Sequence, residues 1–153
     1  MLKIPTLALL LVAAFVWLAA GVGVVSVGVK AAGTPWTPGM ALGYVVVFVF
    51  FLIMFLMIAR KHTRRIRGYR EDMMNLLKFL DPPSYIICLV MIGIGASVRI
   101  SGLVPGEIIA FFYGGLGTAL IVAAIFYIVT YVALCEELSS QYTKYSQFLE
   151  KYK

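Results

Sequence analysis

The chain has few acids, one histidine and two cysteines. Its 153 residues include 7 Asp and Glu, the single His62, and Cys88 and Cys135. Each scarcity removes a class of chemistry. One histidine with no carboxylate close by in sequence does not supply the three or four ligands of a metal site, so no metal is expected. No nucleotide- or cofactor-binding motif stands out, and none is expected to be needed. The cysteines form no Cys-x-x-Cys pair, which argues against a dithiol relay. All the acids (Glu71, Asp72, Asp81, Glu107, Glu136, Glu137 and Glu150) fall in loops or at the ends of apolar runs. Proton-coupled transport through a membrane-embedded carboxylate is therefore disfavoured.

Apolar residues are abundant instead: 62% of the chain is hydrophobic and 13% charged. A soluble domain is about half apolar and a quarter charged, and a globule this small lacks the interior to hide such a surplus. The bilayer is the expected solvent. Four runs approach or exceed the roughly 20 residues needed to cross about 30 Å of hydrocarbon: 4–29, 40–59, 85–100 and 108–134. Each is expected to be a helix, which satisfies its own backbone polar groups in lipid. The first run is too long for a signal-peptide core and ends in a poor cleavage site, so it reads as a retained span. The expected fold class is an all-α membrane protein, a four-helix bundle over 1–134 followed by an amphipathic tail helix over 135–153.

Orientation follows from the basic residues. Lys3 precedes the first run; Arg60, Lys61, Arg64, Arg65, Arg67, Arg70 and Lys78 lie between the second and third; Lys144, Lys151 and Lys153 close the chain. Eleven of the 13 basic residues thus share one side, predicted to be cytoplasmic, and only Lys30 and Arg99 oppose them. Both termini are expected inside a cell (plasma or inner) membrane. Net charge +6 reads as topology and contact with anionic headgroups, and no nucleic-acid partner is expected. Cys88 and Cys135 fall at one depth on the reducing side, so no structural disulfide is expected.

The outer connections are short: Thr34-Pro35-Trp36-Thr37-Pro38-Gly39, and residues 101–106 with Pro105-Gly106. Each predicts a tight antiparallel hairpin. A shift of 67 positions superimposes Gly28 on Gly95, Pro38 on Pro105 and Gly39 on Gly106, which suggests an internal repeat of two hairpins. On the cytoplasmic side the 60–83 segment starts basic, continues through Met73, Met74, Leu76, Leu77, Phe79 and Leu80, and stops at Asp81-Pro82-Pro83; it predicts an interfacial helix. In the tail, Leu138, Tyr142, Tyr145, Leu149 and Tyr152 are spaced 4, 3, 4, 3, a heptad seam suited to docking on 73–80 or on another copy.

Small residues recur at helical spacing: Gly39 with Gly43, Ala19 with Gly23, Gly93 with Ser97, and Gly115 with Ala119. Such stripes let helices approach closely in lipid and predict a tight bundle, with Gly93 and Gly95 as the alternative lining of a pore. Arg99 with Glu107 is the expected outer-side charge pair. The cluster Arg60, Lys61, Arg64, Arg65, Arg67 and Arg70 is the expected contact for anionic lipid or an anionic ligand. Four-helix membrane enzymes acting on eicosanoids or glutathione carry an arginine–asparagine–glutamate pattern on the second helix. Here the nearest counterpart, Arg70, Glu71 and Asn75, lies beyond the second span.

Lys61-His62-Thr63-Arg64-Arg65-Ile66, together with Ser101-Gly102-Leu103-Val104-Pro105 and Ala110-Phe111-Phe112-Tyr113-Gly114-Gly115-Leu116-Gly117, resembles a group of small, uncharacterised prokaryotic membrane proteins of the same four-helix layout. The resemblance implies membrane location and topology and carries no activity. The functional expectation is a homo-oligomeric, non-enzymatic bundle: a channel or transport component, or an accessory subunit to an unidentified membrane partner. The alternative is a membrane enzyme acting on a lipophilic substrate through the cytoplasmic arginines.

Overall fold

The computed structural model describes residues 3–5, 7–33, 35–67, 73–75, 93, 95, 97 and 100–151. Apart from one short strand pairing, its elements are helices: α1 (Ala8–Ala31), α2 (Pro38–Arg67) and α3 (Gly106–Lys151). At 1.5 Å rise per residue they measure about 36, 45 and 69 Å. All three are long and apolar enough to cross a membrane. The expected third span, 85–100, lies almost wholly outside the described residues, as does any repeat built on it. Residues 93, 95, 97, 100 and 101 are helical.

Local signals set the helix ends. Pro5 pushes its predecessor out of helical conformation, so the first run enters as a strand, Lys3–Pro5 (β1), before α1 begins at Ala8. Thr37 caps α2, its Oγ1 accepting from the Met40 N–H at 3.3 Å, with Pro38 in the first helical position where no amide is needed. The turn before α3 has Gly102 at φ 64°, and Glu107 in the first turn of α3 complements the positive end of the helix dipole.

Residues 73–75 depart from the helical expectation: Met73–Asn75 (β2) pairs antiparallel with β1, Lys3 opposite Asn75 and Pro5 opposite Met73. α2 is described to Arg67. Residues 76–83 lie outside the described residues. The tail is not a separate helix. α3 runs unbroken through the expected boundary at 134, so residues 135–151 continue it by about 26 Å.

α3 is the centre of the molecule. Gly28 of α1 lies against Ala110 and Gly114, and Gly21 against Gly117 and Ile121, so α1 runs antiparallel to α3. Gly43 of α2 lies against Phe111, Tyr44 bonds Thr118 and His62 bonds Tyr127, so α2 runs parallel to α3. A methyl on Gly117 would stand 2.7 Å from the Val25 nitrogen and 2.9 Å from the Gly21 oxygen; only glycine permits that crossing. This close seat changes the first hairpin from the tight pair expected. α3 wedges between α1 and α2, whose ring contact is Trp17 on Phe55 at 5.1 Å. Around it gather Leu9, Leu10, Ala13, Ala59, Ala123, Ala124 and Tyr127, all fully buried or nearly so. Elsewhere large apolar side chains stay bare, Phe15 at 73%, Leu42 at 67% and Phe50 at 64% exposure, surface that lipid covers and water would not tolerate.

Candidate functional site

The polar chemistry of the described chain gathers at the C-terminal end of α2. The apolar face of that helix continues past the last span residue: Phe55, Ala59, His62, Thr63 and Ile66 are all buried. Their spacing of 4, 3, 1 and 3 keeps one face turned to α1 and α3. Arg60, Lys61 and Arg64 fall on the outward side and are exposed, while Arg65 is half-buried. The basic cluster is thus split by helical phase and is not a uniform patch.

On the buried side His62 Nδ1 and the Tyr127 hydroxyl are 3.0 Å apart in a hydrogen bond. Both residues are essentially inaccessible, at 1% and 0% exposure. The Tyr127 ring also leans on Trp17, centroids 5.9 Å apart. The pair ties α2 to α3 where α1 joins the core.

Next to it a notch of about 200 Å³ opens between α2 and α3, lined by Arg60, Thr63, Arg64, Phe126 and Thr130. The two arginines stand one turn apart, on one side of the helix. Neither makes an ion pair among the described residues. The Thr63 hydroxyl is buried there and has no hydrogen-bond partner among the described residues. Thr130 Oγ1 donates to the Phe126 carbonyl at 2.8 Å, which leaves its oxygen free to accept. The notch offers guanidinium donors, one unpaired hydroxyl and an apolar wall, a set suited to an anion with a greasy attachment.

A second, apolar crevice of about 290 Å³ lies at the opposite end, between the end of α1 and the starts of α2 and α3. Trp36, Tyr44 and Gly114 are among its walls, and it contains the Tyr44–Thr118 hydroxyl pair at 2.8 Å.

The other expected residues are distributed as follows. Arg67 closes α2, and Arg70, Arg99, Cys88 and Tyr152 lie outside the described residues. Glu107 is exposed at the start of α3. Gly115 packs on the α2 backbone, where an added methyl would stand 2.8 Å from the Tyr44 oxygen; a methyl at Gly39 would approach only the Thr37 side chain, and one at Gly43 would meet the Phe111 ring. A methyl added at Gly93 or Gly23 would meet no described atom within 4 Å outside its own helix backbone, the Gly93 carbonyl accepts from the Ser97 hydroxyl at 2.8 Å, and the Gly95 carbonyl accepts from the Tyr113 hydroxyl at 2.7 Å. Leu138, Tyr142, Tyr145 and Leu149 are all exposed, and Cys135 is a half-buried free thiol. Among the described residues no group of His, Cys, Asp and Glu is placed to hold a metal.

Thr63, Thr130, Tyr127 and the glycines 21, 28, 114 and 117 escape the sequence reading. The signal for Thr63 and His62 was present in the phase of Phe55 and Ala59. Three long apolar helices around a small polar layer are the build of a membrane-embedded helical protein. Comparison with protein-family models, with curated proteins and with solved structures finds no match.

Proposed function

We propose that the chain is a four-crossing protein of the cell membrane with both termini cytoplasmic. Its copies assemble through the cytoplasmic end of α3 into a non-enzymatic bundle, serving as a channel or transport component or as an accessory subunit. The observation that carries the reading is the bare seam on that extension. Leu138, Tyr142, Tyr145 and Leu149 are exposed by 51, 76, 63 and 48%. They recur at heptad spacing on a continuous helix that leaves the rest of its own chain behind. The flanking positions Ser139, Gln141, Ser146 and Phe148 are uncharged, so nothing there repels an identical copy.

The fourth crossing has two supports. α2 and α3 run in the same direction, so the chain joining Arg67 to Gly106 has to return across the bilayer. Tyr113, nine positions after Val104, bonds Gly95, nine before it, the register of an antiparallel hairpin. The buried hydroxyl pairs also favour a packing role over catalysis, since Tyr44–Thr118 and His62–Tyr127 each join one helix to another.

Single cysteines in a background lacking Cys88 and Cys135 test the assembly. Tyr142→Cys and Tyr145→Cys should crosslink between copies in native membranes, while Gln147→Cys on the far face should not. Leu138→Asp with Tyr145→Asp should convert the assembly to monomers by native mass spectrometry. A wild-type monomer, or equal crosslinking at all three positions, would sink the reading. Solute flux in proteoliposomes that falls on Gly93→Leu selects the channel form, and absence of flux selects the accessory subunit.

A further inference from the structure

We propose that the notch between α2 and α3 is a binding site for a phosphate group, with Arg60 and Arg64 as charged donors and the Thr63 hydroxyl as the buried donor. The inference does not rest on self-assembly.

Thr63 is 6% exposed and its Oγ1 has no partner among the described residues. Native chains seldom leave a buried hydroxyl unpaired, because it has lost its water and gained nothing. Apolar residues surround it on the face shared with Phe55, Ala59 and Ile66, so a valine of the same shape would pack there without that loss. A hydroxyl facing a notch with two guanidinium groups on its rim has a use once an anion enters. Arg60 and Arg64 are one turn apart, so both reach one oxyanion, and charge-assisted bonds of this kind are the strong ones. Thr130 Oγ1, already donating to Phe126, can accept from a protonated phosphate or a headgroup hydroxyl. The volume of about 200 Å³ equals roughly six waters at about 30 Å³ each, room for a phosphate with its ester carbons. The Phe126 side chain gives those carbons an apolar wall.

Depth favours a lipid as the source. The notch begins at Arg60, directly after the apolar run of α2, at the level of the phosphates of the cytoplasmic leaflet. Free phosphate shares the chemistry, so the experiment separates the two.

Full-length protein in a phosphate-free maltoside detergent is compared alone, with added phosphatidylglycerol, and with added inorganic phosphate. Native mass spectrometry reads retained lipid, and thermal unfolding reads stabilisation. Wild type should retain phosphatidylglycerol and gain Tm with it. Thr63→Val should weaken retention about tenfold, the loss of one bond to a charged acceptor, yet match or exceed the wild-type Tm in the phosphate-free detergent alone. Arg60→Gln and Arg64→Gln should weaken retention at least as much, while Lys61→Gln, which lines no part of the notch, should change it less than about twofold. Stabilisation by inorganic phosphate alone, lost in Thr63→Val, assigns the site to a free anion. Equal loss in Lys61→Gln, unchanged binding in Thr63→Val, or no phosphate-dependent stabilisation in any arm overturns the proposal.

Discussion

His62 and Tyr127 show how much one hydrogen bond does in this chain. The 3.0 Å contact joins α2 to α3, as the Tyr44–Thr118 pair does nearer their starts, and it fixes their rotation at the level of Trp17. Interhelical hydrogen bonds in bilayers average about 0.6 kcal/mol and reach about 1.7. Tyr127→Phe keeps the ring and removes the hydroxyl, so it should lower stability by about 1 kcal/mol, read as a lower Tm in nanodiscs, while assembly stays intact. An unchanged Tm would show that the pair is incidental. The sequence exposes His62 only as a lone histidine among arginines. Its burial is a matter of phase: it lies seven residues after Phe55 and three after Ala59, on the face that the charges avoid.

At the scale of elements, the glycines decide how the helices seat. Gly117 and Gly21 let the α1 and α3 backbones touch, whereas in the Ala19–Gly23 pair, at equally good spacing, a methyl added at Gly23 would find open space among the described residues. α1 is uncharged over its length until Lys30, so no polar face marks which glycines point inward. Gly117→Val should therefore cost about 3 kcal/mol through overpacking against Val25 and Gly21, and Gly23→Val less than about 0.5 kcal/mol. Thermal unfolding of the two variants side by side checks this, and comparable losses would contradict the packing. By its sequence the 60–83 segment reads as a helix up to a stop at Asp81-Pro82-Pro83, and the pairing of Met73–Asn75 with the N-terminus is not legible in it. Strand pairing joins residues some 70 positions apart, and no local pattern carries that distance.

At the scale of the whole molecule, the parallel run of α2 and α3 bears on topology. With both starting on one side, the N-terminus and the α3 extension share the other. Cysteines placed at Thr37 and Ser101 in the cysteine-free background should react with an impermeant reagent from outside, and one at Ser140 only after permeabilisation. The reverse pattern, or labelling of Ser101 and Ser140 from one side, would overturn the orientation and the crossing number respectively.

Membrane residence and the lengths of the apolar runs that become α1, α2 and α3 are determined by the sequence alone. These are local, additive properties: each residue contributes its own transfer free energy or charge wherever its neighbours fold. Tertiary structure alone decided that α3 separates α1 from α2, that the tail continues α3, and that Arg60 and Arg64 frame an unpaired threonine. In lipid the buried and exposed faces of a helix are equally apolar, so contact is chosen by the fit of small residues against backbone, and that fit exists only once the helices meet.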